Sequence, residues 1–108
     1  KTMYFDYDRY NIKADQQPTA KANVAQIEKH SEWKQIVLEG NCDERGTEEY
    51  NLALGDKRAN AVADFYIKLG VPSSKVVTVS FGSSRPAVQG HDESAFKFNR
   101  RVDTLVNK

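Results

Sequence analysis

Asp43 and Arg58 are the residues whose types and placement could do chemistry together. Asp43 lies in "GNCDERGTEEYN" (Gly40 to Asn51), just after the apolar run Ile36-Val37-Leu38. Arg58 shares a helical stripe with Asn51, Leu54, Ala61 and Phe65, so its guanidinium sits among mostly apolar positions. A charge in such a place needs a partner. Two readings are open. Asp43 and Arg58 can form a plain ion pair that closes the loop, of the partly exposed kind that is common and weak. Or they can be two poles facing one cleft, since α/β layouts put ligands at the C-terminal ends of strands. Asp43 would then hold an ammonium and Arg58 a carboxylate in a bidentate fork. Such a site suits a zwitterion, such as the head of an amino acid.

The other candidates have blander readings. Asp43 beside Glu44 invites acid–base work, but glycoside hydrolysis needs two carboxylates flanking a bond, and sequence neighbours seldom face each other. Glu44 and Arg45 are expected to pair locally or to meet a partner protein. Cys42 is the only cysteine, so it has no internal disulfide partner and reads as a small buried residue at a strand end. His30 complements a helix C-terminus. His91, in "QGHDE", lacks a second His or Cys at ligand spacing and reads as a loop hydrogen-bonding residue. Asn99-Arg100-Arg101 reads as an anchor tying the last strand to an acidic loop. No metal motif, cofactor motif, phosphate loop or nucleophile triad is present.

These residues need elements to hold them. Met3–Tyr7 reads as a short aromatic strand, followed by a polar loop. Ala14–Glu32 has helical spacing at Ala20, Val24 and Ile27, with Pro18 in the first turn. Trp33–Glu39 is a second strand, with Ile36 and Leu38 on one face and Val37 on the other. Thr47 is a good N-cap, followed by Glu48 and Glu49 at the positive end of a helix. That helix is expected to reach about Leu69, with a core stripe of Leu52, Ala59, Val62, Tyr66 and Leu69. Gly70 and Pro72 then stop it. Lys75–Phe81 alternates as a third strand, Ser94–Asn99 is a short helical turn, and Arg101–Val106 is a fourth strand. The order β-α-β-α-β-(α)-β argues for an α/β sandwich with helices packed on one face of the sheet. Right-handed crossovers are expected from strand one to two and two to three, with the last strand free to run antiparallel.

Composition bounds the function. The chain has 108 residues, which fits a single domain over 1–108, and its mean hydropathy of −0.70 fits a well-solvated surface. Sixteen Lys and Arg face fifteen Asp and Glu, a net charge of +1, which offers no basic stripe for nucleic acid. No apolar run approaches a membrane span. The chain opens at Lys1 without Met, so the lack of a targeting segment carries no information.

The stretch "GNCDERGTEEYNLALGDKRANAV" resembles the signature of OmpA-like peptidoglycan-binding domains, and most of all their peptidoglycan-associated lipoprotein branch. The family pattern is roughly G-H/N-x-D-x-x-G-x-x-x-x-N-x-x-L-[SG]-x-x-R-A. It is matched at Gly40, Asn41, Asp43, Gly46, Asn51, Leu54, Gly55, Arg58 and Ala59. "YFDYDRYNI", "RPAVQGHDE" and "NRRV" extend the likeness over essentially the whole chain. Asn41 replaces a His common in relatives, and Lys57 replaces an Arg.

The resemblance implies a mixed four-stranded sheet and a non-enzymatic domain without cofactor or metal. It would bind the zwitterionic side-chain end of meso-diaminopimelate in the bacterial wall's stem peptide. Asp43 would contact the ammonium and Arg58 the carboxylate. Tyr7 and Asp8 would add backbone N–H groups and an aromatic wall. Leu54 would pack on the aliphatic stem, Asn51 would brace the loop, and Arg45 would reach further parts of the peptide. The implied setting is the periplasmic side of a Gram-negative outer membrane. A lipid anchor would lie upstream of Lys1, and the β-propeller protein of the Tol system would be a partner on an overlapping surface.

Overall fold

Thr47 opens the longest helix as its chemistry predicts: its hydroxyl oxygen accepts from the Tyr50 backbone N–H at 3.1 Å. The helix, α2, runs Glu48–Lys68, with Glu48 and Glu49 in its first turn and Lys68 in its last. Gly70 takes φ +112°, the left-handed turn that ends it. The structure is a computed structural model describing residues 2–107. Its other elements are β1 (Met3–Tyr4), α1 (Gln17–Lys29, after a 3-10 turn), β2 (Gln35–Asn41), β3 (Val76–Gly82), α3 (Glu93–Asn99) and β4 (Arg101–Asn107).

The sheet order is β1-β4-β2-β3. β2 pairs parallel with β3, and β4 runs antiparallel to both β1 and β2. β1 and β2 therefore point the same way with the last strand inserted between them. Ile36, Leu38 and Val102 are fully buried and share a core with Val24 and Ile27 of α1 and Val62 and Tyr66 of α2. Val37 lies on the opposite face in register with Val77 and Leu105, both exposed. The helices thus cover one face, and the expected mixed four-stranded α/β fold is present.

Three expectations need correction. β1 stops at Tyr4 rather than Tyr7, because the next carbonyls are taken by arginine side chains instead of a strand: Phe5 by Arg100 and Asp6 by Arg58. β2 starts at Gln35 rather than Trp33. His30 ends α1, its ring stacks on Trp33 at 4.2 Å, and the Trp33 N–H donates to the His30 carbonyl, so a turn occupies those residues.

The third correction is the face of α2. Leu52 is 40 % exposed, and the buried face is Asn51, Leu54, Gly55, Arg58, Ala59, Val62, Ala63 and Tyr66. The rotation is set by a backbone contact. A Cβ on Gly40 would lie 1.8 Å from the Gly55 carbonyl oxygen, so only two glycines let β2 and α2 meet there. With Gly55 against the sheet, Leu52 turns outward beside Phe81.

Candidate functional site

The close approach at Gly40 and Gly55 sets the spacing between the end of β2 and the flank of α2, where a cleft forms. It holds about 40 Å³ and is lined by Tyr7, Asp8, Cys42, Asp43, Arg45, Gly46, Tyr50, Asn51, Leu54 and Arg58. Every residue proposed from the sequence lies on it.

Arg58 is 1 % exposed. Its Nε donates to the Arg9 carbonyl at 2.7 Å, Nη1 to Asn41 at 3.0 Å and Nη2 to Asp6 at 3.0 Å. These acceptors are neutral carbonyls from β2 and from the loop after β1. Among the described residues no carboxylate forms an ion pair with Arg58. Three of its five N–H groups go to these carbonyls, and the guanidinium also lies against the Cys42 thiol. Burial pulls its proton affinity below the usual arginine range, with nearby Cys42 and Asp43 opposing.

Asp43 is 4 % exposed, and its carboxylate is crowded. Oδ1 accepts from the Arg45 backbone N–H at 3.0 Å and from Arg45 Nε at 3.1 Å. Oδ2 accepts from Arg45 Nη2 at 2.7 Å and from Arg100 Nη1 at 3.5 Å. Burial pushes this carboxyl up, but the hydrogen bonds and charge of Arg45, helped by Arg100, outweigh it and hold it below the ordinary carboxylate range. A plain Asp43–Arg58 ion pair, one of the two readings open from the sequence, is therefore absent: each residue bonds to something else. An acid–base pair of Asp43 and Glu44 also fails, because Glu44 turns away to His91.

The remaining residues shape the walls. The Arg45 guanidinium lies 3.8 Å from the Tyr7 ring centroid and 4.6 Å from that of Phe96. Asp8 adopts φ +56°, which Asp tolerates better than most side chains, and it accepts from the Tyr50 hydroxyl. Asn51 Nδ2 donates to the Asp43 carbonyl at 3.4 Å, and the Asn51 carbonyl accepts from the Cys42 thiol. Leu54 also lines the cleft. Cys42 is buried at the strand end as expected, and burial, with the Asp43 charge adding and Arg58 opposing, pushes its thiol up to about 11.

Sequence reasoning missed Arg100, which donates to the Phe5 carbonyl at 2.8 Å and pairs with Glu93 at 2.7 Å as well as reaching Asp43. The signal was "NRR" beside an acidic loop, read only as an anchor. Arg101 does anchor, to Asp103 and to the Arg85 carbonyl. Asn99 anchors as well: it accepts from the Ala87 and Val88 N–H groups and pins the loop before α3.

A model of the OmpA family matches residues 4–100. The chain belongs to the OmpA family. Among OmpA-family relatives, the peptidoglycan-associated lipoprotein of Pasteurella multocida is 47 % identical over 101 residues, covering 94 % of this chain and 67 % of that protein. That of Pseudomonas aeruginosa is 39 % identical over 102 residues, covering 94 % of this chain and 60 % of the relative. The chain thus spans about two thirds of their length or less. The crystal structure of the peptidoglycan-associated lipoprotein from Burkholderia pseudomallei superposes with a TM-score of 0.93 at 39 % identity, covering 99 % of this chain and 90 % of that one. The C-terminal domain of Helicobacter pylori MotB reaches 0.91 at 20 % identity, covering 100 % of this chain and 84 % of that one, which shows the shared OmpA fold alone.

Proposed function

We propose that this OmpA-family domain binds peptidoglycan without catalysis, through the side-chain end of meso-diaminopimelate in the stem peptide. The observation that carries this reading is Arg58. A buried guanidinium that lines a cleft and, among the described residues, has no carboxylate partner is prepared for a ligand carboxylate. Asp43 supplies the opposite pole for the ligand ammonium. Leu54 receives the aliphatic stem between them, and Tyr7, Asp8, Asn51 and Arg45 frame the mouth. An ionised, arginine-clamped Asp43 is a poor general acid, so the hydrolase reading has no support here.

In the cell the domain would tether the outer membrane to the wall. A lipid anchor on an upstream segment would hold it there, facing the periplasm, within the Tol–Pal system. Its protein partner would be the Tol β-propeller, on a surface overlapping the cleft. The same domain on a porin or stator protein would keep the ligand chemistry and change only the attachment. The identities of 39–47 % with lipoprotein relatives, against 20 % with MotB, favour the lipoprotein attachment.

Calorimetric titration with a stem peptide carrying meso-diaminopimelate, against one carrying lysine, tests the site. The lysine peptide keeps the ammonium and lacks the terminal carboxylate. Binding of the first with clear loss for the second supports the reading. Equal binding, or none to either, refutes it.

A further inference from the structure

We propose that Arg45 is an internal competitor for the ligand ammonium and must leave the Asp43 carboxylate before the ligand can occupy both poles. This rests on the diaminopimelate reading and adds how that site is controlled.

A carboxylate offers about four acceptor positions. All four at Asp43 are filled: the backbone N–H, Nε and Nη2 of Arg45, and Nη1 of Arg100. A ligand ammonium can bond there only by displacing one of them. The Arg45 backbone N–H is fixed by the turn. Arg100 is 8 % exposed and is held by the Phe5 carbonyl and Glu93. The Arg45 side chain is 34 % exposed, against 8 % for Arg100, and is the donor that solvent reaches. The cleft points the same way, because 40 Å³ holds no more than a few waters and an amino-acid head needs more.

Arg45 also has somewhere to go. Its guanidinium already lies over the Tyr7 ring and within 3.5 Å of Glu93 Oε2. Swinging off Asp43 gives up the fork on that carboxylate but leaves the guanidinium its second carboxylate neighbour, Glu93, so the displacement strands no charge. The planar fork is what the ligand must beat. A single ammonium makes a point contact, whereas Arg45 makes two parallel bonds. The guanidinium thus sets a threshold that weak amines fail to cross, and a ligand held at the same time by Arg58 crosses it.

The test compares two stem peptides by calorimetry, one with meso-diaminopimelate and one with 2-aminopimelate, which keeps the distal carboxylate and lacks the distal amine. The proteins are wild type, Arg45→Ala and Arg45→Met; the Met variant keeps an apolar stem between Tyr7 and Phe96. Competition predicts that discrimination in favour of the amine-bearing peptide widens about fivefold in both variants, the size expected from losing a partly exposed ion pair. Unchanged or narrowed discrimination in the Met variant overturns the proposal while the diaminopimelate reading stands. Wild-type protein that prefers neither meso-diaminopimelate over lysine nor the amine over its absence overturns both.

Discussion

Arg58 and Asp43 line one cleft and do not bond to each other. The cation is held by three backbone carbonyls and the anion by two other arginines. The protein thus keeps opposite charges close without letting them cancel, and each pole is positioned by a different segment of the chain.

Arg58→Ala should therefore do two things. Stem-peptide binding falls by about 2–4 kcal/mol, because the ligand carboxylate loses its buried partner. Stability also falls, by about 2–4 kcal/mol, because three carbonyls lose their donor. Calorimetry and urea denaturation read the two separately. Arg58→Lys keeps the charge but has no planar fork, and should lose most of the binding as well. A variant that binds normally would show that the carboxylate is held elsewhere.

Gly40→Ala should be among the most disruptive small substitutions. Its Cβ would meet the Gly55 carbonyl oxygen at 1.8 Å, and backbone on both sides leaves nothing to yield cheaply. A loss of about 3 kcal/mol or more is expected in denaturant titration, with weakened binding as α2 lifts from β2. Gly70→Ala, where a Cβ meets nothing within 4 Å, should cost only the left-handed backbone strain of about 1–2 kcal/mol.

Asp43 predicts a pH dependence. Its carboxyl is depressed below 3.8, so its contribution to stability is fully present above that value and is lost as pH falls through the lower folded-state pKa. Asp43→Asn should remove this acid-limb component and leave the neutral-pH slope as it was. Urea midpoints from pH 7 down to pH 2 measure it. An identical acid limb in the variant would assign the effect to other carboxylates.

Cys42 should resist alkylation in the native protein. It is 4 % exposed and its thiol titrates near 11, so little thiolate exists at pH 8. Iodoacetamide labelling followed by mass spectrometry should be slow until denaturant is added. Rapid native labelling would mean that the Asp43 loop opens readily.

Local features were legible in the sequence because their causes are local. The Ile36–Leu38 alternation, the Thr47 cap and the Gly70 stop each depend on neighbours a few residues away. Asp43 and Arg58 stood out because charge was set beside apolar residues. What stayed hidden depends on distant backbone. Leu52 turned outward because Gly40 meets Gly55. The partners of Arg58 are carbonyls, which no residue type announces. Arg100 reaches Asp43 only because β4 inserts between β1 and β2.

That insertion has a mechanical side. A pull on the amino-terminal end loads β1, which has only two residues paired with β4. Force then passes to Phe5, Asp6 and Arg9, whose carbonyls are clamped by Arg100 and Arg58. Arg58, which lines the cleft, and Arg100, which bonds Asp43, thus carry the load. A ligand that holds Arg58 in place would stiffen that segment, so under such a pull grip on the ligand and mechanical strength would rise together.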